Sequence, residues 1–182
     1  MTPATVRFSE LFTQMSAGLA GEIFAHLQAN ARPTYGLALQ ALATQRRLRP
    51  VFVERKPRTE RYAWLQAALG RAASDPVAAN LLQTWLTGAQ APMLCDFLNA
   101  LGIAHDGKGN IDALPPCPGA EPLHAAVDEL LAKYPAETVI VYLHCFLAMD
   151  PEAWSLLAEL LATDPRLRLP AAGAVAAPTA KA

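Results

Sequence analysis

Cysteine is scarce in this chain of 182 residues, and the three present, Cys95, Cys117 and Cys145, form no Cys-x-x-Cys pair. An odd, scattered set argues against a disulfide framework and for a reducing compartment, so a cytoplasmic location is expected. Charge is sparse too: 17% of residues are charged against 53% hydrophobic, a balance that excludes a disordered composition. Long apolar runs are missing. The longest, 139–149 with His144 inside it, falls well short of the ~20 residues that cross a bilayer. The first residues also lack the charged and apolar regions of a secretory signal. Absent as well are GxSxG, P-loop, GxGxxG, HExxH and paired-carboxylate patterns. The expectation therefore moves away from an enzyme, and no cofactor is expected.

What charge there is divides along the chain. Residues 1–73 carry ten Lys/Arg against four Asp/Glu, a balance of +6. Residues 74–164 carry two against twelve, a balance of −10, so a net charge of −1 conceals a basic front and an acidic back. Such asymmetry bears on partners and association rather than on fold. The apolar share is rich in Ala and Leu, strong helix formers, and with the abundant Arg it suits a bacterial source of high GC content.

Apolar spacing predicts an all-α fold of seven or eight short helices. Phe8, Leu11, Phe12, Met15, Leu19, Ile23 and Leu27 repeat every three or four residues, one stripe that Gly18 and Gly21 are placed to break. Pro33 fits the first turn of a second helix, and a third starts near Thr59. Asp75-Pro76 reads as a cap and first helical residue, Pro92 starts the next helix, and Gly102 stops it. Between Pro50 and Pro57 the pattern halts, and Val51-Phe52-Val53 reads as extended chain or a short edge strand. The segment 103–122 is one long connection; His105-Asp106-Gly107-Lys108-Gly109-Asn110 is turn chemistry, with a minimal β-hairpin allowed at 103–112. A sixth helix runs from Pro122 to Tyr134. The apolar run 138–149 reads as a central helix rather than a buried strand, because it has about twelve residues and no partner strand. Asp150-Pro151 opens the last helix. Residues 1–169 are taken as one all-α domain, with 170–182 as a disordered tail. The segments starting at Ala73 and Ala148 share an Ala-x-Asp-Pro-x-Ala-x-x-Leu-Leu pattern. The simpler reading is that Asp-Pro helix starts are used twice, without duplication.

One stretch carries the candidate site. Arg46, Arg47, Arg49, Arg55, Lys56, Arg58 and Arg61 place seven of the fifteen basic residues within sixteen positions, with Phe52, Tyr62 and Trp64 among or just beyond them. Arginine's planar fork suits carboxylates and phosphates. Two uses follow. The leading one is a non-catalytic protein-protein interaction or assembly module, its partner another protein or a second copy. The alternative is a nucleic-acid-associated accessory protein binding phosphates through the same arginines, with the aromatics stacking on bases. An Arg-rich connector docked on the chain's own acidic half is the structural alternative to both.

Other constellations carry less. The loop 106–112 fails as a calcium site, since Lys108 stands where an oxygen ligand belongs and Ile111 where glycine belongs. His124 and Asp128 share a helix face but lack a third metal ligand; His105 and Cys117 bring none. No metal is expected. His144 and Cys145 are adjacent on a helix and point about 100° apart, a poor base–nucleophile pair.

Overall fold

The apolar stripe from Phe8 to Leu27 divides where Ser16 supplies a cap. In the computed structural model, which describes residues 6–169, α1 spans Phe8–Gln14 and α2 spans Ala17–Asn30. The break falls ahead of Gly18 and Gly21 because the Ser16 hydroxyl accepts the Leu19 N–H at 3.1 Å. The same hydroxyl donates at 2.7 Å to Glu137, whose carboxylate also takes the Ser16 N–H. One glutamate thus ties the first corner of the chain to a helix 121 residues away.

Ten further elements follow by the same local chemistry. Pro33 lies in the first turn of α3 (Arg32–Arg46), which ends with Arg47 in the left-handed region, φ 53°. Pro50 opens α4 (Pro50–Glu54), and α5 (Arg58–Leu69) starts directly after Pro57. A 3-10 turn at Ala72–Ser74 leads into α6 (Asp75–Ala89), followed by α7 (Ala91–Ala100). After the long connection come α8 (Ala120–Lys133), α9 (Ala136–Leu147) and α10 (Ser155–Thr163). A last 3-10 turn spans Pro165–Leu167. Among the described residues the regular elements are helices alone, ten of them α-helices. The expected tail at 170–182 lies outside those residues.

Three expectations need correction. Val51-Phe52-Val53 is neither extended nor an edge strand but the middle of α4. Arg49 before Pro50 is extended and the helix stops ahead of Pro57, so both prolines keep their usual constraints while the residues between coil. Burial of Val53 holds that turn in place. The minimal hairpin at 103–112 is not formed. Instead the Asp106 carboxylate gathers the loop onto itself, accepting the Lys108 N–H at 2.7 Å, the Asn110 N–H at 3.1 Å and the Asn110 amide at 2.7 Å. Those bonds pull its carboxyl below the ordinary range, the Asn110 side chain most. The helix count exceeds seven or eight because the first stripe is two helices and the connector adds a third. The two Asp-Pro segments also diverge: Asp75 is already helical, whereas Asp150 accepts the Ala153 N–H in a turn five residues ahead of α10.

Burial assembles these helices around one connected apolar cluster to which each α-helix contributes. Residues 138–149 are helical as expected up to Leu147, and α9 buries Thr138, Val139, Ile140, Val141, Tyr142, Leu143, Phe146 and Leu147. An aromatic chain runs Tyr142–Phe97–Phe146–Trp154, with ring centroids 5.4, 5.2 and 4.7 Å apart. Trp154 also fixes the long connection: its indole N–H donates to the Pro115 carbonyl at 3.0 Å.

The N-terminus of α1 is closed from a distance. Asp75 does not cap its own helix; Ser74 stands at that position. The Asp75 carboxylate accepts both the N–H and the hydroxyl of buried Ser9, at 2.9 and 3.0 Å. Asp75→Ala removes a negative charge from the positive end of α1 and leaves two buried donors unpaired. The expected loss is about 1–2 kcal/mol in urea unfolding, with Asp75→Asn losing less. An unchanged midpoint for the alanine variant would show that water replaces the carboxylate at no cost.

Candidate functional site

Side chains from the end of α3 and from just beyond α4 converge on Trp64 of α5. The Arg46 guanidinium lies 3.8 Å from the Trp64 ring centre and the Lys56 ammonium 4.9 Å, so cations from two separate parts of the segment meet at one indole. Arg58 and Arg61 stand 5.3 and 5.7 Å from the Tyr62 ring. The sequence places Tyr62 and Trp64 as stacking platforms for bases; in the structure the protein's own cations occupy them.

The seven basic residues separate into three groups. Arg61 is half-buried, donates to the Glu54 carbonyl at 2.7 Å, and has a buried Nε without a partner among the described residues. It lies near the Tyr35 hydroxyl, whose pKa burial raises while the guanidinium pulls it back. Arg61 therefore joins α4 to α5 from within. Lys56 pairs with Glu60 at 3.0 Å. Arg46, Arg47, Arg49, Arg55 and Arg58 are exposed, and among the described residues none makes an ion pair with a carboxylate. The connector is not docked on the chain's acidic half.

What the sequence did not announce is the apolar centre of this surface. Leu48, Val51 and Phe52 are 41%, 45% and 52% exposed, three of the six large apolar side chains that reach solvent among the described residues. On a helix Arg55 lies on the same side as Val51 and Phe52, four and three residues on. Val53 alone turns inward. A signal existed in the halt of the three-four spacing at Leu48, since residues without a stripe have no core face to bury.

The acidic back half is largely engaged within the fold. Asp75 and Glu137 receive the N-terminal donors of α1 and α2, while Asp106 and Asp150 close turns. Asp96 accepts from Tyr134 at 2.8 Å and pairs with Lys133, which also meets Glu129 at 2.6 Å. Asp128 and Asp164 share Arg166, at 2.9 and 2.7 Å. That bond removes Asp128 from the pairing with His124 considered for a metal. Among the described residues no three His, Cys, Asp or Glu side chains converge.

His144 and Cys145 diverge on α9. Cys145 lines a cleft between helices that His144 does not reach. The His144 Nδ1 is buried with no hydrogen-bond partner among the described residues, and burial lowers its pKa from the ordinary 6.5. Just below that value the unfolded chain binds more protons than the folded one, so stability falls as pH drops. The urea midpoint should decline between pH 7 and pH 5, and His144→Gln should flatten the decline. An identical slope in the variant would place the proton uptake elsewhere.

Comparison with family models, curated proteins and solved structures gives no match. The architecture itself is all-α, and among the described residues no helix is long and apolar enough to cross a membrane.

Proposed function

We propose that the chain is a non-catalytic protein-protein interaction or assembly module. Its docking surface is the apolar group Leu48, Val51 and Phe52 inside a rim of Arg47, Arg49, Arg55 and Arg58, and its partner is a different protein presenting carboxylates around an apolar socket. The observation that carries this reading is the exposure of Phe52 and its neighbours amid unpaired arginines. Aromatic and Arg side chains are enriched where protein interfaces hold their binding energy, whereas Lys-rich solvated faces are not.

Two further observations support it. Arg47 holds a left-handed backbone that costs a non-glycine residue about 1–2 kcal/mol. Glycine would relieve that cost, so the retained guanidinium favours a use for the side chain. The occupation of Trp64 by Arg46 and Lys56 speaks against base stacking there. A second copy is a weaker occupant than another protein, because most carboxylates of the acidic half already have intramolecular partners. The reading includes residues 1–169 acting as one unit around α9 in a reducing cytoplasm.

Affinity capture from the source cell, with and without nuclease, tests it. The expected result is a protein partner retained after nuclease and lost from a variant in which Arg47, Arg49, Arg55 and Arg58 become Glu. Loss on nuclease alone, with retention on heparin that falls steeply with salt, would assign the surface to nucleic acid instead.

A further inference from the structure

On elements that share no residue with the basic surface, α1, α6, α7 and α9 leave a cleft of about 340 Å³. Phe8, Leu86, Leu94 and Phe146 supply apolar walls, and among the described residues no charged side chain lines it. The backbone around Gly109 closes one side. Gly109 has φ +89°, and a Cβ added there would stand 2.5 Å from the Leu94 Cβ, so the connection rests directly on α7 as only glycine permits. Tyr142 and Cys145, one helical turn apart on α9, both line the cleft. Tyr142 is 4% exposed overall, and its hydroxyl, unpaired among the described residues, retains contact with solvent. Burial raises the Tyr142 pKa above its ordinary value and pushes the Cys145 thiol up to about 12, so both groups stay protonated at neutral pH.

We propose that this cleft binds a neutral, flat, mainly apolar molecule of about two fused rings bearing one hydrogen-bond acceptor, with the Tyr142 hydroxyl as donor. Size sets the ring count: a dry cavity of about 150 Å³ admits one benzene, and this cleft is somewhat more than twice that. The uncharged lining sets the charge, because an ion would be desolvated there without a counter-ion. The Tyr142 hydroxyl sets the polar group, as a donor in the cleft wall without a partner among the described residues, which a ligand acceptor takes over from water. Apolar walls with a few placed polar groups are the usual make-up of small-molecule sites.

The test is a fluorescence titration of the full chain with prodan, a neutral naphthalene ketone whose emission moves to the blue out of water. A saturable blue shift with one site per chain is expected. Affinity should fall roughly fivefold in Tyr142→Phe, the loss of one hydrogen bond. Binding should vanish in Ala79→Trp, which fills the cleft from α6; Gln83→Trp, at an exposed position on its rim, serves where the first variant loses its helical circular dichroism. No saturable shift with the unaltered chain overturns the proposal. So does binding that survives a folded tryptophan variant, or an affinity unchanged in Tyr142→Phe.

Discussion

Trp154→Ala should lower the unfolding free energy by about 3–5 kcal/mol, the usual cost of deleting a fully buried aromatic. That is at least about a fifth of the ~5–15 kcal/mol that holds a domain of this kind folded. The side chain is 0% exposed and stands edge-on to Phe146 at 4.7 Å, the terminal member of the aromatic chain through Phe97. Its indole N–H is also the bond that holds Pro115, and with it the connection between α7 and α8. Cys117 adds a second, longer tie from its N–H to the Ala153 carbonyl at 3.4 Å. Trp154→Phe separates the two contributions, because it keeps a ring in the core and loses the donor. It should cost about 1 kcal/mol in hydrogen bonding beyond the lost volume, and leave the carbonyl of Pro115 unpaired. Limited proteolysis within 103–119 should then quicken while the helices stay protected. Urea unfolding of the alanine variant within 1 kcal/mol of the parent would mean that the aromatic chain is not the support described.

Phe52→Ala should weaken partner binding by about 30-fold or more, the effect of truncating an aromatic at the centre of an interface. Stability should barely change, since half of the side chain already meets water. Val53→Ala should do the reverse: its side chain is 0% exposed, so the fold weakens while the docking surface keeps its composition. Leu37 is as exposed as Val51 but lies on α3, outside the arginine rim. Leu37→Ala should leave both properties within about 0.5 kcal/mol. Equal effects of Leu37 and Phe52 truncation would reduce the surface to generic stickiness.

Most of the helices were legible because their cause is local. Spacings of three and four mark the buried faces, and prolines at 33, 76 and 92 lie in first turns where a missing N–H costs nothing. Less legible were features settled by distant partners. Ser16 rather than Gly18 ends the first helix because Glu137 is there to meet it. Asp75 looks like a cap for its own helix and instead serves Ser9 on another. At α4, β-branched residues between prolines suggest extended chain, and burial of Val53 overrides that preference. Of the candidate surface, the arginines could be counted in advance. Their separation into internal Arg61, paired Lys56 and an open rim could not, since it depends on where Glu54, Glu60 and Trp64 come to rest. The cleft was invisible in the sequence, being lined by residues as far apart as Phe8 and Met149.

Hydrogen exchange of the chain with and without its captured partner addresses the docking surface most directly. Amides of 48–58 should exchange more slowly in the complex, and the protection should disappear in the variant carrying Glu at positions 47, 49, 55 and 58. Protection confined to α8–α10, with residues 48–58 exchanging as in the free chain, would contradict the account.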